Sequence, residues 1–103
     1  MIYDPIERSK TRFTIYMNML FEIDGPGLQK LMRSYEQERL AVLDDLGLVE
    51  VQTVGDLASE WIEPIGLTDL GRQLLYACRN ETFVSKITDY DIENVIGLLT
   101  IKI

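Results

Sequence analysis

The sequence has no histidine and a single cysteine in 103 residues. Because histidine is the commonest general base and metal ligand near neutral pH, its absence removes the usual centre of an acid–base or metal site. The one thiol, Cys78, excludes an internal disulfide and any metal site built from several cysteines. We therefore expect a non-enzymatic protein that has no catalytic residue, no metal and no cofactor.

Long apolar runs are also missing. No segment approaches the roughly 20 apolar residues that a membrane-spanning helix needs. The opening residues, Met1 to Pro5, lack the basic and apolar regions of a secretory signal peptide. These absences predict a cytoplasmic protein that has no membrane partner.

Positive charge is scarce. Lysine and arginine number 10 against 17 aspartates and glutamates, which gives a net charge of −7. Such a balance disfavours nucleic acid as a partner, since phosphate attracts a basic footprint. The hydrophobic fraction of 47% is sufficient for one domain to bury a core without metals or disulfides.

The N-terminal segment contains a helix-start signature, Asp4-Pro5-Ile6-Glu7, with a capping side chain followed by proline. Apolar residues then follow one helical face, with Tyr16 and Ile23 on its flank. A strand is the alternative, because residues 13–23 also alternate at period two. The cap and the length favour a helix. Three apolar residues fall outside a single stripe and predict burial on more than one side: Ile15, Met19 and Phe21.

Residues 28–46 keep a helical rhythm that fits either one helix or two. In the second case, Ser34 and Gln37 would form the capping box of the second helix. Gly47 would end the helix in the left-handed conformation, and Leu48 would close on the last turn.

A β-hairpin is predicted next. Residues 48–54 alternate between apolar and polar, and Gly55-Asp56 is a turn signal that opens a loop to Glu60. Trp61 to Leu67 forms the return strand, with Trp61, Ile65 and Leu67 on one face. Trp61 is expected in the core, and an exposed partner contact is the alternative. Pro64 requires an edge position, because it cannot donate to a ladder.

Thr68 is expected to cap a further helix, and Gly71 to give room where that helix passes close to the sheet. Its buried stripe would comprise Leu70, Leu74, Leu75 and Cys78, so we interpret Cys78 as a core residue.

Residues 1–80 would form the core unit and residues 81–103 a C-terminal extension. In that extension Gly97 would end a short helix. A β-leaning apolar end would follow and contact a second copy or another partner through Leu98, Leu99, Ile101 and Ile103.

Two motifs resemble the winged-helix domains of small MarR- and PadR-type regulators. They are Leu43-Asp44-Asp45-Leu46-Gly47-Leu48-Val49-Glu50 and Gly66-Leu67-Thr68-Asp69-Leu70-Gly71-Arg72. The second motif, continued to Cys78, more distantly resembles the C-terminal module of the phage abortive-infection alpha family. The resemblance implies an α+β, winged-helix-like fold with a helical N-terminal arm, a two-stranded wing and a C-terminal helix plus apolar extension.

Two functions are consistent with this resemblance. In DNA-binding members a recognition helix reads the major groove and the wing contacts the backbone. Here both surfaces carry carboxylates, which repel phosphate. This acidic face comprises Glu36, Glu38, Asp56 and Glu60. It favours a protein-interaction module, of the kind found in small phage-type inhibitors, acting on a protein partner or as a homodimer.

The alternative is a DNA-binding transcriptional regulator. It requires the six basic residues of the first 39 positions to share one face with the wing. Otherwise these residues form a solvated helix surface. They are Arg8, Lys10, Arg12, Lys30, Arg33 and Arg39.

Overall fold

The protein is a mixed α+β structure, seen in a computed structural model that describes residues 5–25, 34–56 and 58–100. Side chains are described from Arg8 in the first range and from Gln37 in the second. None of the helices in these ranges has the length and apolar character needed to cross a membrane. The elements are α1 (Pro5–Asp24), α2 (Ser34–Asp45), β1 (Val49–Asp56), β2 (Ser59–Leu67), α3 (Asp69–Ala77), α4 (Glu81–Ser85) and α5 (Ile92–Thr100).

The prediction of a helix rather than a strand for the N-terminal segment is confirmed. Its buried residues recur at helical spacing, because positions three and four apart share a face. Phe21, however, is 59% exposed, so burial on more than one side is wrong at this position. The residues of α1 in the core are Phe13, Tyr16, Met19, Leu20 and Ile23.

Helix α2 ends as predicted, on a left-handed glycine. Gly47 has φ of 75°, and its N–H donates to the carbonyl of Asp44 at 2.9 Å. The N–H of Leu48 donates back to the carbonyl of Leu43 at 2.9 Å, which completes a Schellman closure. Residues 28–33 lie outside the described ranges, and so does the choice between one and two helices there.

The hairpin contains a bulge that the sequence pattern did not predict. Val51 pairs with Pro64 and Glu50 with Gly66, so Ile65 is an extra residue in β2. The bulge reverses the alternation, and Leu67 and Pro64 are both buried while Ile65 is 51% exposed. The predicted common face of Trp61, Ile65 and Leu67 is therefore wrong.

Trp61 lies outside the core. It pairs with Val54, is 40% exposed, and donates from Nε1 to Oε1 of Glu63 at 3.1 Å. The expected core position is wrong, because the bulge places Ile62 on the core side instead. The predicted loop up to Glu60 is also wrong, since the paired strands extend to Asp56 and Ser59.

Helix α3 begins at the predicted cap. The Thr68 hydroxyl accepts the N–H of Gly71 at 3.1 Å, and the Thr68 N–H donates to the carbonyl of Leu48 at 3.1 Å. Leu74 and Leu75 are buried, and Leu70 and Cys78 pack beside the core. The predicted stripe is confirmed.

The segment after α3 joins the same core. Asn80 caps the unpredicted α4 by accepting from the N–H of Thr82 at 2.9 Å. Helix α5 continues through Gly97 to Thr100. The predicted stop at Gly97 is wrong, and so is the strand from Leu98 onward within the described residues. Burial of one α5 face outweighs the roughly 1 kcal/mol that glycine costs in a helix. The buried residues of this segment are Ile87, Ile92 and Val95.

Two glycine substitutions test the close approach of α3 to the α2–β1 junction. In Gly71→Ala the new methyl group would meet the carbonyl of Leu48, and we expect the free energy of unfolding to fall by about 1–3 kcal/mol. Gly97→Ala is the matched helical control, since no atom lies within 4 Å of its added carbon. We expect it to be neutral or to stabilise by about 0.5–1 kcal/mol. Urea denaturation measures both, and equal effects would contradict the packing described here.

Candidate functional site

One side chain of α2 forms two hydrogen bonds to the hairpin. Gln37 Nε2 donates to the carbonyl of Ile62 at 2.9 Å, and Gln37 Oε1 accepts the N–H of Ile62 at 2.8 Å. The amide thus occupies the edge of β2 as a neighbouring strand would. The predicted capping box of Ser34 and Gln37 stays a prediction, since the Ser34 side chain lies outside the described ones, but both polar atoms of Gln37 bind β2.

The same contact explains why β2 tolerates a proline at position 64. Since the N–H and C=O of Ile62 point away from β1, residue 64, two positions on, has the same orientation. Its missing N–H therefore removes no hydrogen bond from the β1–β2 ladder. The free side of β2 is where proline is tolerated.

A shallow, largely open cleft of about 400 Å³ lies beside this contact, between α2 and the hairpin. Two carboxylates, Glu38 and Glu60, line it together with the 40% exposed Trp61. Both glutamates are solvent-exposed, whereas Ile62 at its base is half-buried. We call this the acidic cleft. Its lining residues are Gln37, Glu38, Ala41, Thr53, Glu60, Trp61 and Ile62.

Only part of the predicted acidic face meets in this cleft. Glu38 and Glu60 do so, although they come from separate elements. Asp56 does not, because its Oδ1 accepts the N–H groups of Ala58 and Ser59, at 2.9 and 3.1 Å, in the hairpin turn. Glu36 lies outside the residues whose side chains are described.

Charge is segregated along the chain around the cleft. Residues 40–71 contain no lysine or arginine. The hairpin and its flanking turns therefore present carboxylates with no lysine or arginine in the same stretch, although Asp69 near its end pairs with Arg72 at 3.3 Å. Seven carboxylates fall in this stretch: Asp44, Asp45, Glu50, Asp56, Glu60, Glu63 and Asp69.

The predicted basic residues lie elsewhere. Arg8, Lys10 and Arg12 are exposed on α1, and Lys10 Nζ lies 5.1 Å from the ring centroid of Tyr90. Arg39 is half-buried on α2. None of these four residues lines the acidic cleft. Lys30 and Arg33 lie outside the described residues.

Two of the four residues predicted to contact a second copy or a partner lie within the described part of the chain. Leu98 and Leu99 are half-buried and pack against the hydrophobic core of their own chain. Ile101 and Ile103 lie outside the described residues.

Sites for covalent or metal chemistry are not evident in the described part of the chain. No group of three or more acidic, cysteine or histidine side chains is placed there to hold a metal ion. Burial raises the pKa of the Cys78 thiol to about 11, because a thiolate is poorly solvated beside apolar groups. Cys78 is therefore a neutral packing residue at neutral pH.

Comparison of the chain with protein-family models, curated proteins and solved structures finds no match. The winged-helix resemblance therefore stays a prediction.

Removing the Gln37 amide tests the α2–hairpin contact. Gln37→Ala would leave the Ile62 N–H and C=O without their partners, and we expect the free energy of unfolding to fall by about 1–3 kcal/mol. Gln73→Ala is the control, since it removes the same amide from an exposed position on α3. Its free energy of unfolding should stay within about 0.5 kcal/mol of that of the parent protein. Chemical denaturation compares them. A similar small effect of both would show that the contact does not stabilise the fold.

The thiol gives a pH-dependent test. The pKa of Cys78 is higher in the folded chain than the usual 8.5 or so, so the unfolded chain loses this proton first. Stability should therefore fall as pH rises from about 8.5 towards 11. This contribution should disappear in Cys78→Ala. Labelling by a thiol reagent at about pH 8 should be slow until denaturant is added. Rapid labelling of the folded protein would contradict the assignment.

Proposed function

We propose that this protein is a non-enzymatic, acidic, winged-helix-like module that binds a basic surface on a protein partner through the acidic cleft. The order α2, β1–β2 hairpin and α3 is the helix, wing and helix order of that domain class. The cleft supplies a surface on which an exposed aromatic ring adjoins two carboxylates. This juxtaposition of Trp61 with Glu38 and Glu60 carries the proposal.

The chemistry of the cleft matches a lysine or arginine side chain. Trp61 Nε1 already donates to Glu63, so the ring face is the part of the indole that a ligand would meet. A cation over an indole face gains about 0.5–2 kcal/mol. Hydrogen bonds between a cationic donor and a carboxylate are stronger than neutral ones. Tryptophan is also among the residues that most often dominate binding energy at protein interfaces.

Nucleic acid is the partner class that this surface fits least well. A phosphate near Glu38 or Glu60 would be repelled, and residues 40–71 offer no cation to offset that repulsion. An acidic surface of this kind would instead compete with nucleic acid for a basic channel, as small phage-type inhibitors do. The DNA-binding regulator is the second candidate, supported by the exposed basic residues of α1, Arg8, Lys10 and Arg12.

Fluorescence anisotropy with two labelled probes separates the two candidates. The probes are a lysine-rich peptide and a mixed-sequence DNA duplex, each titrated at low and at higher salt. We expect salt-sensitive binding of the peptide and none of the duplex, because opposite charges attract and screening weakens that attraction. Salt-sensitive binding of the duplex alone would overturn the proposal and favour the DNA-binding regulator.

Matched charge variants locate the binding surface. The double variant Glu38→Gln/Glu60→Gln should weaken peptide binding by about three- to tenfold, and Trp61→Ala should weaken it further. Glu22→Gln/Glu81→Gln removes the same number of charges from exposed positions outside the cleft and should change affinity little. Equal losses in the two double variants would show a diffuse charge effect and would overturn the assignment to the cleft.

A further inference from the structure

A second cavity, of about 180 Å³, lies between α1, α2 and the start of α5. It shares no lining residue with the acidic cleft. Its inner wall is formed by buried side chains, Phe13, Tyr16 and Ile92. A volume of about 180 Å³ would hold roughly six waters or one small organic molecule, since an apolar cavity of about 150 Å³ accepts benzene.

Tyr16 lines this cavity and is 9% exposed. Its hydroxyl has no hydrogen-bond partner among the described residues. No enclosed side-chain nitrogen or oxygen in the described part of the chain lacks a partner, so this hydroxyl is accessible. It belongs to a residue that lines the cavity. An unpaired hydroxyl on a largely buried residue offers a specific hydrogen bond to an occupant.

Charged side chains of both signs line the cavity. Arg12 lies on α1 one helical turn from Tyr16, so its guanidinium and the Tyr16 hydroxyl are donors on one helical face. Asp91 and Glu93 are exposed at the start of α5 on the facing wall. No ion pair joins Arg12 to either carboxylate. Side chains of opposite charge thus line one cavity without pairing with each other.

An apolar surface completes the site. Val42 on α2 lines the cavity and is 37% exposed, with Leu46 one turn further along the helix. Phe13 adds an aromatic edge, held by its edge-to-face contact with Tyr90 at 5.7 Å between ring centroids. An occupant with a compact apolar group would cover these side chains and remove their surface from water.

We propose that this cavity binds a free α-amino acid with a compact apolar side chain, such as valine or leucine. Its carboxylate accepts hydrogen bonds from the Arg12 guanidinium and the Tyr16 hydroxyl. Its ammonium group lies towards Asp91 and Glu93, and its side chain covers Val42 and Leu46. A zwitterion satisfies both sets of separated charges at once, which a simple anion or cation of the same size does not.

Backbone-amide NMR titration of the whole protein with L-leucine tests this proposal. We expect saturable shifts confined to residues 9–16, 42–46 and 90–93. The companion ligands are 4-methylpentanoate, which lacks the ammonium group, and 3-methylbutylamine, which lacks the carboxylate. Each should bind at least about tenfold more weakly, because one charged contact is lost. No saturable shift at millimolar leucine would overturn the proposal, and so would tighter binding by the amine.

Conservative variants identify the donors. Tyr16→Phe keeps the packing and removes only the hydroxyl, and we expect a loss in affinity of about three- to tenfold. Arg12→Gln should weaken leucine binding by about tenfold or more. Tyr76→Phe changes an exposed tyrosine outside the cavity and should leave affinity unchanged. Unchanged affinity in Tyr16→Phe, with the spectrum still folded, would overturn the assignment of this hydroxyl.

Discussion

The junction between Gly47, Leu48 and Thr68 holds the two halves of the fold together. The Leu48 carbonyl accepts the Thr68 N–H, and the Thr68 hydroxyl donates to the Gly47 carbonyl at 2.5 Å. The end of α2, the start of β1 and the start of α3 are thereby joined at one point. Gly71 is required there because a side chain would strike the Leu48 carbonyl. The direction in which the hairpin leaves the core follows from this junction.

The bulge at Ile65 and the Gln37 contact then determine which side chains of the hairpin are exposed. Without the bulge, Trp61 would share the inward face with Leu67. With it, Ile62 packs inward and Trp61 lies at the surface beside Glu60. Gln37 holds α2 against the edge of β2 at Ile62. One irregular residue and one amide side chain therefore produce the acidic cleft.

Acidic and basic residues are unevenly distributed along the chain. The stretch from residue 40 to residue 71 is purely acidic, while exposed basic residues lie on α1 and near the end of α3. Arg79 there lies over the rings of Phe21 and Tyr76, at 5.7 and 5.8 Å from their centroids. No lysine or arginine is interleaved with the carboxylates of residues 40–71, so this stretch offers negative charge to a partner of opposite sign. The signs are mixed at the second cavity, which is lined by Arg12, Asp91 and Glu93.

The sequence by itself determined the helix ends and the buried face that depend on neighbouring residues. Gly47 ends α2, Thr68 begins α3, and the leucine spacing of α3 places its buried stripe, because each depends on residues within about one turn. The exposure of Trp61, the role of Gln37 and the continuation of α5 through Gly97 were decided by tertiary structure. Each depends on contacts between residues distant in sequence: a bulge set by strand pairing, an amide bound to a strand 25 residues away, and a helix stabilised by burial against α3. The presence of Glu38 and Glu60 in one cleft likewise depends on contacts between residues distant in sequence. Composition alone predicted the negative charge, but only the packing of α2 on the hairpin placed these two carboxylates beside an exposed tryptophan.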